Sequence, residues 1–102
     1  MEIIKPEQGT KLPLEFTAVK RLASAYMEVV ELELKELESI EFHSLTCKVL
    51  FYVKEGEAFF LSENRNTPVN KGSIIIVNPN ELRGWMCKKG QGVKLLVVKM
   101  FE

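Results

Sequence analysis

The sequence contains no aspartate, and it has only one histidine, one tryptophan and two cysteines. Two cysteines are too few for a disulfide framework or a zinc ribbon, and a reducing compartment would keep them as free thiols. The 14 basic and 14 acidic residues balance, so no excess of positive charge indicates a surface for nucleic acid. We therefore expect a protein without structural disulfides that does not contact nucleic acid directly.

Long hydrophobic runs are also missing. Apolar runs such as residues 73–77 and 95–98 are far shorter than the ~20 residues that a membrane-spanning helix needs, so we expect no membrane contact. The first ten residues, MEIIKPEQGT, lack the basic and then apolar plan of a signal peptide, which predicts a cytoplasmic location. Since 46% of the residues are hydrophobic and the charges balance, the composition is that of one globular domain.

The first half of the chain permits two interpretations. Residues 1–14 contain two prolines and a glycine and are predicted to form an extended arm with at most one short strand. Residues 18–39 are rich in helix formers, which favours an amphipathic helix. From Val30 to Leu34, however, apolar residues alternate with charged ones, which is the period of a half-buried strand. We favour a strand over residues 25–34 and keep the helix as the alternative.

The second half carries clearer strand signals. Apolar residues at 47–53 and 58–61 flank KEGE, a predicted turn in which Gly56 can take a positive φ. Residues 62–71 are polar and are predicted to form a loop. Short strands separated by evenly spaced turns predict an all-β sandwich or barrel. The remaining predicted strands lie at residues 73–77, 85–88 and 93–101.

Two glycine-containing phrases, YVKEGE and KGSIIIVNP, stand at a regular spacing, with fifteen residues between Gly56 and Gly72. This arrangement resembles that of the cupins, which are small double-stranded β-helix barrels with two glycine-containing motifs and a short segment between them. The first cupin motif ends on a glycine and contains two histidines and a glutamate. When it is aligned on Gly56, His43 stands at the first histidine, Leu45 at the second and Val49 at the glutamate.

The second cupin motif, aligned on Gly72, places Arg83 at its histidine and Cys87 at its asparagine. The resemblance implies an all-β, cupin-type double-stranded β-helix (jelly-roll) barrel over residues 25–102. Residues 1–24 are then an N-terminal arm. Because small cupins commonly pair through an N-terminal strand, we expect a homodimer with this arm at the contact.

The resemblance also predicts that the usual cupin metal is absent. Three imidazoles and a carboxylate hold that metal, a donor set that suits divalent transition metals. In this sequence His43 is the one ligand left, and Arg83 replaces another. Because a permanently protonated guanidinium repels a divalent cation, we predict no metal and no other cofactor at this place. A zinc site formed by Cys47, Cys87 and His43 stays open as an alternative, since thiolates and imidazoles suit that ion.

Strand alternation indicates what the barrel mouth offers instead of a metal. Successive residues of a strand face opposite sides, so the replaced motif positions are expected to share the inner face. The result is a mouth with one permanent cation, one imidazole, an indole and an apolar floor. Such a pocket suits a small anion held in two-point fashion by Arg83, with Trp85 stacked on its body. The predicted ligand-binding residues are His43, Leu45, Val49, Arg83, Trp85 and Cys87.

Three functions are compatible with this pocket. We favour a metal-free binding module that recognises a small anionic or sugar-derived ligand, similar to the ligand-binding domains of arabinose-type transcription regulators. The first alternative is a metal-independent isomerase- or epimerase-like enzyme in which His43 is the candidate catalytic acid or base and Arg83 holds the substrate. The second is a purely structural dimeric barrel filled by its own side chains.

Overall fold

The computed structural model describes residues 1–101, which form β-strands joined by short turns and one turn of 3-10 helix. The all-β prediction is confirmed. The elements in chain order are the 3-10 helix Pro6–Gln8 and the strands β1 Thr10–Lys11, β2 Thr17–Ala23, β3 Met27–Leu34, β4 Ser39–His43, β5 Lys48–Ser62, β6 Arg65–Asn70, β7 Ile74–Val77, β8 Arg83–Met86 and β9 Gly92–Met100.

The strands form one curled antiparallel sheet in the order β1-β2-β3-β9-β5-β8-β4, with β6 and β7 also pairing with β5. Strand β5 connects the two layers of the barrel. Its first part pairs with β9 and β7, and its last part pairs with β6 and β8. Because one long strand belongs to both layers, the sheet curls around a single interior, as the predicted barrel requires.

The predicted turn at residues 54–57 is wrong, because β5 runs through it without a reversal. Gly56 does have a positive φ of 80°, but it lies beside an irregularity of register between Val53 and Glu55, where β5 bends along β9. A Cβ at this position would overlap the carbonyl oxygen of Gly92. Glycine is therefore needed for a bend and a close approach of two strands rather than for a hairpin.

The predicted loop at residues 62–71 is also wrong. Strand β6 forms a hairpin with β5, and Ser62 pairs with Arg65 across a two-residue turn. Strand β6 pairs only with β5, so it lies at an edge, where Pro68 and polar side chains are tolerated.

The strand predicted over residues 25–34 is confirmed as β3 Met27–Leu34. The helical alternative for residues 18–39 is wrong, since these residues belong to β2, β3 and the start of β4. Pairing with two neighbouring strands outweighs the helix propensity of the individual residues. Among residues 1–101, no helix has the length and hydrophobicity that crossing a bilayer requires.

One end of the barrel interior is filled with apolar side chains and is called the closed end below. The register places Leu34 opposite Val93 and Val53 opposite Leu95, so inward residues from three strands meet there. A fully buried side chain of this kind contributes about 1.5–3 kcal/mol. The residues of the closed end are Leu34, Val53, Ala58, Cys87, Val93 and Leu95, all buried.

Candidate functional site

The other end of the interior contains a cavity with a volume of about 190 Å³. Strands β2, β3, β4, β5, β8 and β9 contribute to its wall, and the segment that precedes β2 covers it. Eleven of its fourteen lining side chains are aliphatic or aromatic, and the other three are His43, Arg83 and Lys99. The cavity is therefore an apolar space with a few polar groups, which is the usual character of a small-molecule site.

Strand β8 carries the two central side chains of the cavity. It lies between β4 and β5, and its alternation turns both Arg83 and Trp85 inward. Gly84 lies between them, and a Cβ there would come within 2.7 Å of the carbonyl oxygen of Ile40. The glycine thus lets β4 approach β8 closely, which places His43 opposite Arg83 in the register of the two strands.

The Arg83 guanidinium is buried, with only 2% of the residue exposed. Its Nε and Nη1 atoms have no hydrogen-bond partner within the described part of the protein, and the ion pairs among residues 1–101 do not include it. Burial lowers the pKa of this guanidinium, and Cys47 acts in the opposite direction. Arginine nevertheless stays protonated in proteins. Each buried donor left without an acceptor destabilises the fold by about 1–3 kcal/mol.

Trp85 is fully buried and fixed by two aromatic neighbours. Its ring meets Phe51 at 5.2 Å and Phe60 at 5.3 Å between centroids, both in edge-to-face geometry. Such pairs are favourable beyond their buried area. The indole Nε1–H, like the Arg83 donors, has no hydrogen-bond partner among residues 1–101. Trp85 is thus a rigid wall of the cavity that carries one more unmet donor.

His43 ends β4 at the exposed rim of the cavity. Its Nδ1 atom lies 2.9 Å from the carbonyl oxygen of Glu41. Because a carbonyl oxygen only accepts, Nδ1 must carry the proton of this hydrogen bond, and Nε2 of the neutral ring is left as an acceptor. A backbone carbonyl group, that of Glu41, therefore orients the imidazole. A carboxylate side chain is not needed for this role.

Four of the six predicted ligand-binding residues meet in the cavity, namely His43, Leu45, Arg83 and Trp85. Val49 instead lies in the core, where it pairs with Val77 of β7 and with Lys99 of β9. It faces the interior on the same side of β5 as Phe51, so the expected alternation holds, but Val49 is fully buried in the core and does not line the cavity.

Cys87 also lies outside the cavity wall, at the closed end. Its Sγ atom is 3.8 Å from the carbonyl oxygen of Leu34 and 4.0 Å from that of Glu57. Burial raises the pKa of this thiol, and the Glu38 carboxylate adds to the effect. Strand β8 ends one residue earlier, at Met86, so Cys87 does not share the environment of Arg83 and Trp85.

The zinc alternative is not supported by the structure. Within residues 1–101 no three histidine, cysteine or acidic side chains come together as a metal site would need. Cys47, Cys87 and His43 are therefore not brought to one point. Both cysteines are free thiols, the first half-buried and the second buried.

The sequence interpretation missed Lys99 and the apolar cover of the cavity. Lys99 follows Val93, Leu95 and Val97 at inward positions of β9, so the period of that strand could have identified it. The cover consists of apolar residues of the N-terminal arm that alternate with a proline and a glutamate. This alternation is typical of a strand, but the proline argues against one, so the pattern was not recognised. These covering residues are Leu12, Leu14 and Phe16.

Several solved structures share this fold. The polyketide cyclase RemF from Streptomyces resistomycificus superimposes with a TM-score of 0.85 at 20% identity, over 100% of this chain and 80% of that one. A cupin superfamily protein from Desulfitobacterium hafniense gives 0.77 at 13% identity, over 83% and 76%. The Streptomyces nucleoside dehydratase Pac13 gives 0.81 at 14% identity, over 98% and 82%.

No protein-family model and no curated protein sequence matches the chain. At identities of 20% and below, the structural likeness establishes the fold alone. The chain thus has the cupin fold, a double-stranded β-helix barrel, and the resemblance noted in its two glycine-containing motifs is confirmed at that level.

The metal that the cupin fold commonly holds does not fit the residues present. The two strands that would supply its ligands carry one imidazole, at His43, and an unpaired guanidinium, at Arg83. Val49, which stands at the carboxylate position of the motif, is an apolar core residue. A divalent cation would therefore meet a positive charge and apolar groups instead of ligands, so no step of a mechanism is assigned to a metal.

Proposed function

We propose that this protein binds a small anionic or sugar-derived molecule in its barrel cavity without a metal or other cofactor. The observation that carries the proposal is the Arg83 guanidinium, which is buried in the cavity wall and has two nitrogen atoms without an acceptor among the described residues. A charged group in this state destabilises the free protein. A bound anion would supply both the missing charge and the missing acceptors.

The shape of the interior supports binding over a purely structural role. A barrel filled by its own side chains would leave neither a cavity of about 190 Å³ nor three unmet donors in its wall. The fold is also compatible with small-molecule chemistry, because proteins described as a polyketide cyclase and a nucleoside dehydratase adopt it. We place the ligand against Arg83 and Trp85, with His43 and Leu45 at the rim.

Thermal unfolding with small anions tests the binding proposal. The probes are benzoate, ribose 5-phosphate and inorganic phosphate, applied to the wild type, to Arg83→Met and to Arg65→Met, which removes an exposed arginine. At one hundred times its Kd a ligand stabilises a protein by about 2.7 kcal/mol. We expect at least one probe to raise the Tm of the wild type and of Arg65→Met but not of Arg83→Met. Equal stabilisation of all three proteins, or of none, contradicts the proposal.

A metal-independent isomerase or epimerase is the second candidate function, and the geometry of His43 favours it. The imidazole stands opposite Arg83, is oriented by the Glu41 carbonyl group and keeps Nε2 free to accept a proton. In such a reaction Nε2 takes a proton from a carbon next to a carbonyl group, and the same proton or a solvent proton returns to carbon. Incubation of the protein with ribose 5-phosphate in D₂O tests this function by NMR. His43-dependent exchange of a carbon-bound proton supports catalysis, and its absence favours binding alone.

We also propose that the protein is a homodimer in which residues 1–24 form the contact. Strand β1 ends the sheet order and leaves one edge unpaired, and Ile3 and Ile4 are exposed beside it. A competing surface exists on the outer face of β7, where Ile74 and Ile76 are also exposed. An edge strand and exposed aliphatic residues are both features of subunit contacts.

Light scattering on two matched double variants separates these surfaces. We expect a dimer for the wild type and for Ile74→Glu/Ile76→Glu, and a monomer for Ile3→Glu/Ile4→Glu. Dissociation by the β7 pair alone would move the contact to the outer face, and a monomeric wild type would remove the dimer. A cytoplasmic location stays a prediction from the composition of the first ten residues.

A further inference from the structure

In the described part of the cavity wall, the buried side-chain polar atoms that lack a hydrogen-bond partner are all donors. They are the Nε and Nη1 atoms of Arg83 and the Nε1 atom of Trp85. An ionised carboxylate only accepts hydrogen bonds, whereas each hydroxyl of a sugar also brings a donor. The wall offers those hydroxyl donors one neutral side-chain acceptor, Nε2 of His43. The hydrogen-bonding groups therefore fit a head group that accepts and does not donate.

The charges of the cavity limit that head group to one negative charge. Two charged side chains line the wall, Arg83 and Lys99. Lys99 has a partner, because its Nζ atom lies 3.4 Å from Oε1 of Glu28. The same carboxylate also lies 3.9 Å from Nζ of Lys20, which does not line the cavity. Among the described residues that line the cavity, Arg83 is the charged side chain without an ion-pair partner. A monoanion balances its charge, while a phosphate monoester would bring a second negative charge into an apolar site.

The remainder of the wall fits an apolar body of limited size. Aliphatic and aromatic side chains form most of the wall. Examples are Phe16 in the N-terminal cover, Ile40 in β4, Phe51 in β5 and Trp85 in β8. An apolar cavity of about 150 Å³ is sufficient to hold benzene. A cavity of about 190 Å³ therefore has room for one ring, or a branched aliphatic chain of similar volume, together with a carboxylate.

We infer that the ligand is a hydrophobic monocarboxylic acid, in which the carboxylate contacts Arg83 and the Trp85 Nε1–H and the aryl or branched alkyl body fills the space under the N-terminal cover. This inference depends on the binding function proposed above. It divides that proposal into two ligand classes and selects the anionic, apolar class over the sugar-derived one.

The single tryptophan gives a direct readout, because the indole Nε1–H of Trp85 is the one signal of its kind in an ¹H–¹⁵N spectrum. Labelled protein is titrated with benzoate and 4-methylpentanoate, with their neutral amides, and with ribose 5-phosphate. We expect at least one of the two carboxylates to shift the Trp85 signal saturably and to bind about tenfold to hundredfold more tightly than its amide, which is the range of one charge-assisted hydrogen bond.

Three variants control the titration. Arg83→Met is expected to weaken carboxylate binding by about tenfold to hundredfold and to bring it to the level of the amide. Arg83→Lys keeps the positive charge but loses the planar guanidinium. Its affinity for the carboxylates is therefore expected to lie between those of the wild type and Arg83→Met. Arg65→Met is expected to behave as the wild type. Dispersed amide signals show that each variant is folded. If Arg83→Met does not fold, Arg83→Lys is used in its place to test the role of the guanidinium.

The outcomes separate this inference from the broader proposal. Arg83-dependent binding of ribose 5-phosphate without either carboxylate overturns the monocarboxylate class and leaves anion binding in the cavity intact. Equal affinity for a carboxylate and its amide also overturns the class, because the guanidinium would then not select an anion. No Arg83-dependent shift with any of the five probes overturns both.

Discussion

Both ends of the barrel interior contain almost completely buried side chains, but their burial has opposite effects on stability. At the closed end, Leu95 is fully buried among apolar neighbours. At the cavity end, Arg83 is 2% exposed and has unmet donors. Burial of Leu95 stabilises the fold, whereas burial of an unpaired cation destabilises it. The difference teaches that the degree of burial does not by itself identify a stabilising residue, and that the stability of the closed end offsets the cost of burying Arg83 at the cavity end.

The largest effect is expected from Leu95→Ala at the closed end. Removal of this side chain leaves a void in a filled core, which lowers the free energy of unfolding by about 2–5 kcal/mol. Leu14→Ala is the matched change at the cavity end, where the residue is 51% exposed, and we expect a loss of less than about 1 kcal/mol. Urea unfolding measures both values. Equal losses would mean that the two ends do not differ in packing.

A smaller but still large loss is expected from Gly56→Ala, which adds a methyl group where β5 bends toward the closed end. Both Gly56 and Gly72 have positive φ, but only at Gly56 would a Cβ meet backbone atoms. Left-handed conformation disfavours alanine by roughly 1–2 kcal/mol, which is the loss expected for Gly72→Ala. Gly56→Ala should exceed it because of the overlap with Gly92. Chemical unfolding of both variants tests this, and similar losses would exclude a close approach of the strands.

At the cavity end, a substitution is expected to raise the free energy of unfolding instead of lowering it. Arg83→Met replaces an unpaired cation with an apolar side chain of similar length, so it should raise the free energy of unfolding of the ligand-free protein by about 1–3 kcal/mol. Urea unfolding without added anions is the measurement. Loss of stability in this variant would show that the guanidinium is satisfied in the free protein, for example by ordered water, and would remove the contrast between the two ends.

The smallest effect concerns pH and Cys87. Burial raises the pKa of its thiol above the ordinary value of 9.0, so above that pH the unfolded chain loses its proton before the native protein does. Stability is complete below this pH and is lost as the pH rises toward the folded pKa, by at most about 1.4 kcal/mol per pH unit. Unfolding at pH 7 and pH 10 should show a smaller decrease for Cys87→Ala than for the wild type or Cys47→Ala. Identical decreases in all three would contradict a buried, protonated thiol.

Local patterns in the sequence predicted much of the fold. The alternation from Val30 to Leu34 identified β3 against its helix propensity, and the resemblance of the phrases around Gly56 and Gly72 to the cupin motifs implied the barrel. The error at residues 54–57 has a physical cause, because a glycine with positive φ serves a turn and a bend within a strand equally well. Only the pairing of β5 with β9 distinguishes them, and that pairing is not local.

The candidate site could be predicted only in part for the same reason. Arg83 and Trp85 follow strand alternation within one short element, β8, and the structure places both in the cavity. Val49 also faces inward, but core side chains bury it completely and it does not line the cavity, which strand alternation alone cannot predict. The pairing of Lys99 with Glu28 joins residues 71 positions apart. No local pattern in the sequence predicts such a pair. Because Lys99 is paired with Glu28, Arg83 is the cavity-lining charge without an ion-pair partner among the described residues.

The position of β9 in the sheet also affects how the chain acquires its structure during synthesis. Strand β9 lies between β3 and β5, so those two strands are not joined until it is available. The last residue of β3 is Leu34, and β9 begins at Gly92. At a synthesis rate of 5–20 residues per second, β3 waits roughly 3–12 seconds for its partner. During that interval one edge of β3 is open to pairing with other nascent chains, and pairing with β9 covers that edge.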